Sequence, residues 1–152
     1  AVIFLQGDAA CPPLADNSVD GVLSECVLSL LPDPLDALRG CRRTLRPGGA
    51  LLLSDLFRHG DMLEEGGASL APPESGCLAG ARSRAVWEGL LVRAGFVPRC
   101  FEDHSRALVE MAARLLWYGA DAAPEWLRGG CACGGRRGAV GYGLWIAQKE
   151  GS

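Results

Sequence analysis

Three places in this sequence carry side chains suited to binding or chemistry. Asp8, the segment Ser24-Glu25-Cys26 and the pair Ser54-Asp55 each follow a short apolar run. If those runs are strands, the polar residues sit at their carboxyl ends, where open α/β sheets bind ligands. Each also has a plainer reading, since an Asp after a strand commonly forms a turn or caps a helix. Two histidines are placed for proton exchange near neutrality: His59 lies just beyond Asp55, and His104 precedes a helix. A solvated His or a helix cap is the plainer reading of both. Cys131-Ala132-Cys133 is flanked by Gly129-Gly130 and Gly134-Gly135. A C-x-C in a glycine-rich loop can chelate a soft ion or form a redox pair. It is not the usual zinc spacing, which has two intervening residues, and no second pair accompanies it. Two exposed loop thiols are its plainer reading.

The composition limits what such residues can serve. The chain has 152 residues, 49% hydrophobic and 22% charged, which suits one globular domain with a single core. Fifteen basic and eighteen acidic side chains give a net charge of -3. A protein that neutralises phosphates needs a basic excess, so nucleic acid is not the expected partner. No apolar run approaches the ~20 residues needed to cross a bilayer, and no membrane partner is expected. The N-terminus has neither a charged n-region nor a cleavage site, so secretion is unsupported. Seven cysteines in such a chain are expected to be reduced thiols in a cytoplasmic setting.

The positioning elements follow from apolar patterning. Val2-Ile3-Phe4-Leu5 reads as a buried parallel strand ended by Gly7-Asp8. Asp20 to Ser24 reads as a second strand. Asp33 then serves as N-cap with Pro34 at the first helical position, and Leu35, Leu38 and Leu45 share one helical face, with Cys41 or Arg42 between them. Pro47-Gly48-Gly49 ends that helix and leads into a third strand, Ala50 to Ser54. Residues 57–82 read as one long loop of the functional kind. Ser83 caps a helix through Val86, Trp87, Leu90, Leu91 and Ala94, ended by Gly95. Phe96 to Glu102 is the next strand, with Pro98 marking an edge or a strand start. Ser105 caps a helix with Leu108, Met111, Ala112, Leu115 and Leu116 on one face. Tyr142 to Ala147 is the last strand. The alternation predicts an α/β fold with a mostly parallel sheet.

Taken together, Val2 to Asp55 resembles the second half of a class I S-adenosylmethionine-dependent methyltransferase. Gly7-Asp8-Ala9 resembles that family's third motif. Asn17-Ser18-Val19-Asp20-Gly21-Val22 resembles its D-x-F-D-x-V strand. Leu45-Arg46-Pro47-Gly48-Gly49 resembles its L-(K/R)-P-G-G turn, the most specific of the three, and Ala94-Gly95-Phe96 resembles the entry to its sixth strand. The resemblance implies a Rossmann-like domain over residues 1–152, carrying strands three to seven of the family. The last strand would be antiparallel and inserted between strands five and six. The family's first strands and glycine-rich loop would belong upstream, so Val2 to Leu5 is expected to lack its neighbours and to lie unpaired or along the Val22 strand. The implied cofactor is S-adenosyl-L-methionine. Asp8 would accept a hydrogen bond from its adenine amino group, Gly7 and the Ala9 N–H would lie by the ring, and Ser24, Glu25 and Cys26 would line the transfer pocket. Asp55 and His59 would stand on the acceptor side, beside the 57–82 loop.

Two segments are similar to those of arsenite methyltransferases. Ser24-Glu25-Cys26-Val27-Leu28-Ser29-Leu30-Leu31-Pro32-Asp33 resembles S-N-C-V-(I/L)-N-L-x-P-D, and Gly76-Cys77-Leu78-Ala79-Gly80-Ala81 resembles (E)-C-(I/L)-G-G-A. In that family the two cysteines bind trivalent arsenic, and Cys26 and Cys77 stand at the matching positions; Glu25 replaces the family's Asn. The match has a chemical reason. Thiolates suit a soft acceptor, and arsenic bound by sulfur keeps a lone pair that can attack a sulfonium methyl without a general base. Two other functions compete: a quinone- or sterol-type methyltransferase in which the cysteines are passive, and a non-catalytic soft-metal or thiol-binding module acting through Cys131 and Cys133.

Overall fold

The computed structural model describes residues 2–59, 79–117 and 140–151. In chain order the elements are β1 (Val19–Glu25), a 3-10 turn (Leu28–Leu30), α1 (Pro34–Thr44), β2 (Leu45–Arg58), β3 (Arg82–Ser83), α2 (Arg84–Arg93), β4 (Phe96–Asp103), α3 (Ser105–Trp117) and β5 (Val140–Lys149). The five strands form one sheet in the order β1-β2-β5-β4, with the short β3 beside β2. β1 and β3 run parallel to β2, whereas β5 is antiparallel to both β2 and β4. The last strand is therefore antiparallel and inserted, as the resemblance implied.

Alternation along the strands decides which face is buried. Leu51, Leu53 and Phe57 of β2 and Trp145 and Ala147 of β5 turn to one face. They meet Leu35, Ala37 and Leu38 of α1 and Trp87, Leu90 and Leu91 of α2 in a single core. Trp87 also donates its Nε1–H to Leu56 O at 3.1 Å. On the other face Leu23 and Leu52, paired across β1 and β2, remain exposed.

Local signals set the element ends. Asp33 Oδ1 accepts the Leu35 N–H at 2.9 Å with Pro34 first in α1, a side-chain cap where the first turn has free N–H groups. Ser83 caps α2 through the Val86 N–H. The Leu-Arg-Pro-Gly-Gly stretch lies inside β2 rather than before it. It nevertheless breaks the ladder: Val19 pairs with Leu45 but Gly21 pairs with Ala50, the extra residues being absorbed where Gly48 takes φ +80°. β4 is an edge strand, and its register shifts between Pro98 and Cys100, as expected of a proline that cannot donate to a ladder.

Three expectations are corrected. Val2 to Leu5 is neither a strand nor buried: Phe4 is 93% exposed, and the run pairs with no strand among the described residues. Apolar content alone does not make a strand, because its backbone groups need a partner ladder; of the two outcomes expected of this run, the unpaired one is seen among the described residues. The presumed loop 57–82 is strand at both ends, with Phe57 opposite Arg82 and Arg58 opposite Ser83; residues 60–78 lie outside the described residues. Ser105 does not cap α3 with its side chain. Asp103 Oδ1 accepts the Ser105 N–H at 2.9 Å, and the Ser105 hydroxyl points elsewhere.

Candidate functional site

β1 ends in a backbone feature that the sequence does not announce. Cys26 has φ +51°, a left-handed conformation rare for a side chain without a local carbonyl or carboxylate. Its N–H is held by Ser54 O at 2.8 Å, which ties the end of β1 to β2. The thiol is exposed and lies 3.7 Å from the Tyr142 hydroxyl as donor. That hydroxyl donates to Ser54 Oγ at 2.9 Å. Burial pushes the Tyr142 phenol above its usual value; the Ser54 hydrogen bond opposes this, and Cys26 and Glu25 add to it. Thiol, phenol and buried serine hydroxyl thus meet where β1, β2 and β5 adjoin. In the sequence Tyr142 marks only the start of a strand, and its pairing opposite Leu56 depends on the register of the inserted β5, which no local pattern carries.

Asp55, at the next position of β2, is fully buried. One carboxylate oxygen accepts the Ser29 N–H at 2.9 Å and the other the Leu56 N–H at 2.8 Å. It fastens the 3-10 turn after Cys26 to the sheet, a supporting position behind the thiol. Ser24 is half-buried within β1 and Glu25 is exposed beside Cys26.

Asp8 is exposed in a turn, its Oδ1 accepting the Ala10 N–H at 2.8 Å and its carbonyl the Cys11 N–H. The turn rests on α1. A Cβ at Gly40 would come within 2.7 Å of Ala10 O and 2.9 Å of Ala9 O, and Arg43 holds Pro12 O and Leu14 O. Gly7 lies against Pro13 and Ala9 packs on the core.

His59 follows β2 and approaches a third group of residues. Its Nε2 is 3.3 Å from Ser105 Oγ, and its ring meets Phe57 edge-on with centroids 4.6 Å apart. Ser105 Oγ donates to Asp103 Oδ1, and this hydroxyl, with the Ser105 N–H, holds the Asp103 carboxyl below its usual value. His104 instead pairs with Glu102 at 2.9 Å, both exposed. Cys41 is half-buried on α1, and burial raises its thiol. Cys77, Cys131 and Cys133 lie outside the described residues, and among the described residues no group of three or more His, Cys, Asp or Glu is placed to hold a metal ion. No described helix is long and apolar enough to cross a membrane.

Comparison with known proteins agrees with this architecture. Residues 1–53 match the model of a methyltransferase domain. The arsenite methyltransferase of Aquipseudomonas alcaligenes is 37% identical over 109 residues, 69% of this chain and 30% of that protein. The arsenite methyltransferase of Halobacterium salinarum is 33% identical over 96 residues, 62% of this chain and 24% of its own length. The chain thus spans less than a third of either relative. Among solved structures, the cyclase SpnF superposes with a TM-score of 0.72 at 21% identity, covering 96% of this chain and 56% of that one. CrArsM, an arsenic(III) S-adenosylmethionine methyltransferase from Chlamydomonas reinhardtii, superposes with a TM-score of 0.55 at 21% identity over 97% of this chain and 44% of its own. The chain has the Rossmann-like class I methyltransferase fold. In sequence it is arsenite methyltransferase-like.

Proposed function

We propose that this chain is part of an S-adenosylmethionine-dependent methyltransferase whose acceptor is a small soft atom, trivalent arsenic held by thiolates. The observation that carries this reading is Cys26, held exposed at the tip of β1 in a left-handed conformation beside the Tyr142 hydroxyl, in a chain similar over part of its length to arsenite methyltransferases.

The acceptor groups present suit an adenosyl donor. The Asp8 carboxylate faces solvent with one oxygen engaged by Ala10 and can accept from an amino group, and the exposed Glu25 carboxylate can accept from hydroxyls. Gly7 and Ala9 belong to the same turn, and Ser24 to the strand that delivers Glu25. When bound, the cofactor supplies a methyl group made electrophilic by a positively charged sulfur. The protein's share is to hold the acceptor in line and to exclude water. Cys26 ligates the acceptor as thiolate, with its proton passing to the thiolate or hydroxide that leaves the arsenic, and Cys77 supplies a second sulfur. Asp55 keeps the turn behind Cys26 in place. No base is needed at the acceptor, because sulfur-bound arsenic has no proton to lose. The expected setting is cytoplasmic, where thiols stay reduced.

Arsenite titration followed by tryptophan fluorescence tests this reading. Saturable binding weakened by Cys26→Ser and by Cys77→Ser is expected; binding that neither change affects would remove the soft acceptor and favour an organic one. That second reading has its own support, since a malonyl-[acyl-carrier protein] O-methyltransferase of Xylella fastidiosa is 41% identical over 61 residues.

A further inference from the structure

A cavity of about 520 Å³ opens at the carboxyl ends of β2 and β4, lined by Phe57, His59, Arg84, Glu88, Phe101 and Asp103 among others. It lies on the sheet face opposite the Cys26 cluster. Gly141 and Tyr142 are consecutive on β5 and so point to opposite faces. The Tyr142 phenol reaches Ser54 and Cys26, whereas a Cβ on Gly141 would meet Ser105 Oγ and, at 2.6 Å, His59 Nε2. Only glycine lets the imidazole and the serine approach each other over this strand.

Proton bookkeeping fixes the histidine. Ser105 has one hydroxyl proton, and it goes to Asp103 Oδ1. Ser105 Oγ therefore faces its other neighbours as an acceptor: the Tyr142 N–H at 3.3 Å and His59 Nε2 at 3.3 Å. A neutral imidazole in this arrangement donates from Nε2 and keeps its lone pair at Nδ1, which has no hydrogen-bond partner among the described residues. The remaining walls favour a flat, uncharged ligand. Phe57 and Phe101 stand edge to face with centroids 5.5 Å apart. The Arg84 guanidinium lies 4.2 Å over the Phe101 ring and is bound by Glu88 at 2.7 Å. Glu88 thus meets the Arg84 charge and Ser105 engages the Asp103 carboxylate, while a neutral proton donor meets a ready acceptor at Nδ1.

We propose that this cavity binds a small phenol- or enol-type hydroxyl compound, its ring against Phe57 and Phe101 and its hydroxyl donating to His59 Nδ1, with Asp103 and Ser105 acting as positioning residues through the imidazole. On full transfer the proton leaves oxygen for Nδ1 and no other bond changes, so neither oxidant nor co-reactant enters. The site is independent of the soft-acceptor reading.

Titration of the 152-residue chain with 4-nitrophenol, followed by its absorbance, tests the proposal. One saturable site is expected, weakened about tenfold by His59→Leu and about threefold by Ser105→Ala, which keeps the imidazole but releases its tautomer. Two-bond ¹⁵N–¹H spectra of His59 should show hydrogen on Nε2 in the wild type and a mixed population in Ser105→Ala, a change that a merely structural serine would not produce. Cys26→Ser should bind the probe as the wild type does, so failure here and failure of the arsenic reading are separable. Absence of saturation, equal affinity in His59→Leu, or hydrogen on Nδ1 overturns the proposal.

Discussion

The Cys26 thiol donates to the Tyr142 hydroxyl at 3.7 Å, across 116 positions of sequence. The contact exists because β5 inserts beside β2 and sets Tyr142 opposite Leu56, within reach of Ser54. Tyr142→Phe removes the donor to the buried Ser54 hydroxyl and the acceptor for the thiol. The expected cost is about 1–2 kcal/mol in denaturant unfolding; an unchanged midpoint and slope would contradict the assigned hydrogen bonds.

The same phenol gives a signed pH dependence. Burial raises its folded-state value above the ordinary one of 10.0. The unfolded chain then releases this proton first as pH rises, so the stabilisation is complete below about 10 and is lost as pH climbs through the folded-state value. Absorbance at 295 nm should show a tyrosine that ionises late in the native protein. Its disappearance in Tyr142→Phe assigns it, since Tyr118 is the only other tyrosine.

Gly141 tests the crossing of His59 and Ser105 over β5. A Cβ there would lie 2.7 Å from Phe57 Cε1 and closer to the two polar groups. Gly141→Ala should lower stability by about 1–3 kcal/mol through overpacking, and should separate the His59 ring from Ser105. A variant as stable as wild type, with an unaltered His59 spectrum, would show that the strand does not pass so close.

Asp55 is a support rather than a ligand-facing group, because both its oxygens are taken by backbone N–H groups. Asp55→Ala leaves the buried Ser29 N–H without its acceptor and should cost about 2–3 kcal/mol; Asp55→Asn, which keeps one acceptor oxygen, should cost less. Thermal unfolding of the two variants orders them, and equal values would deny the carboxylate this role.

Much of the fold was legible because its signals are local. Asp33-Pro34, Ser83 and the apolar spacing of Val86 to Leu91 each specify a helix start or a buried stripe on their own, and Pro98 marked an edge strand for a reason internal to proline. Val2 to Leu5 misled because apolar character states only that a segment prefers burial; which strand receives it depends on partners elsewhere. The candidate site was half legible. Cys26 and His59 follow strands, and their placement at carboxyl ends could be read directly, whereas Asp55, expected just past a strand, lies inside the longer β2. Tyr142, Ser105 and Gly141 could not, since each acts through the register of the inserted strand, which the expected insertion alone does not fix. The positive φ of Cys26 also left no trace, a cysteine being an unusual occupant of that conformation.

A soft acceptor held by thiolates must shield the thiols that hold it. Mass mapping of iodoacetamide-labelled cysteines, with and without arsenite, addresses all seven in one measurement. Arsenite should slow labelling of Cys26 and Cys77 together while Cys11 and Cys100, both exposed, react as before. Unchanged labelling of Cys26, or protection confined to Cys131 and Cys133, would contradict it.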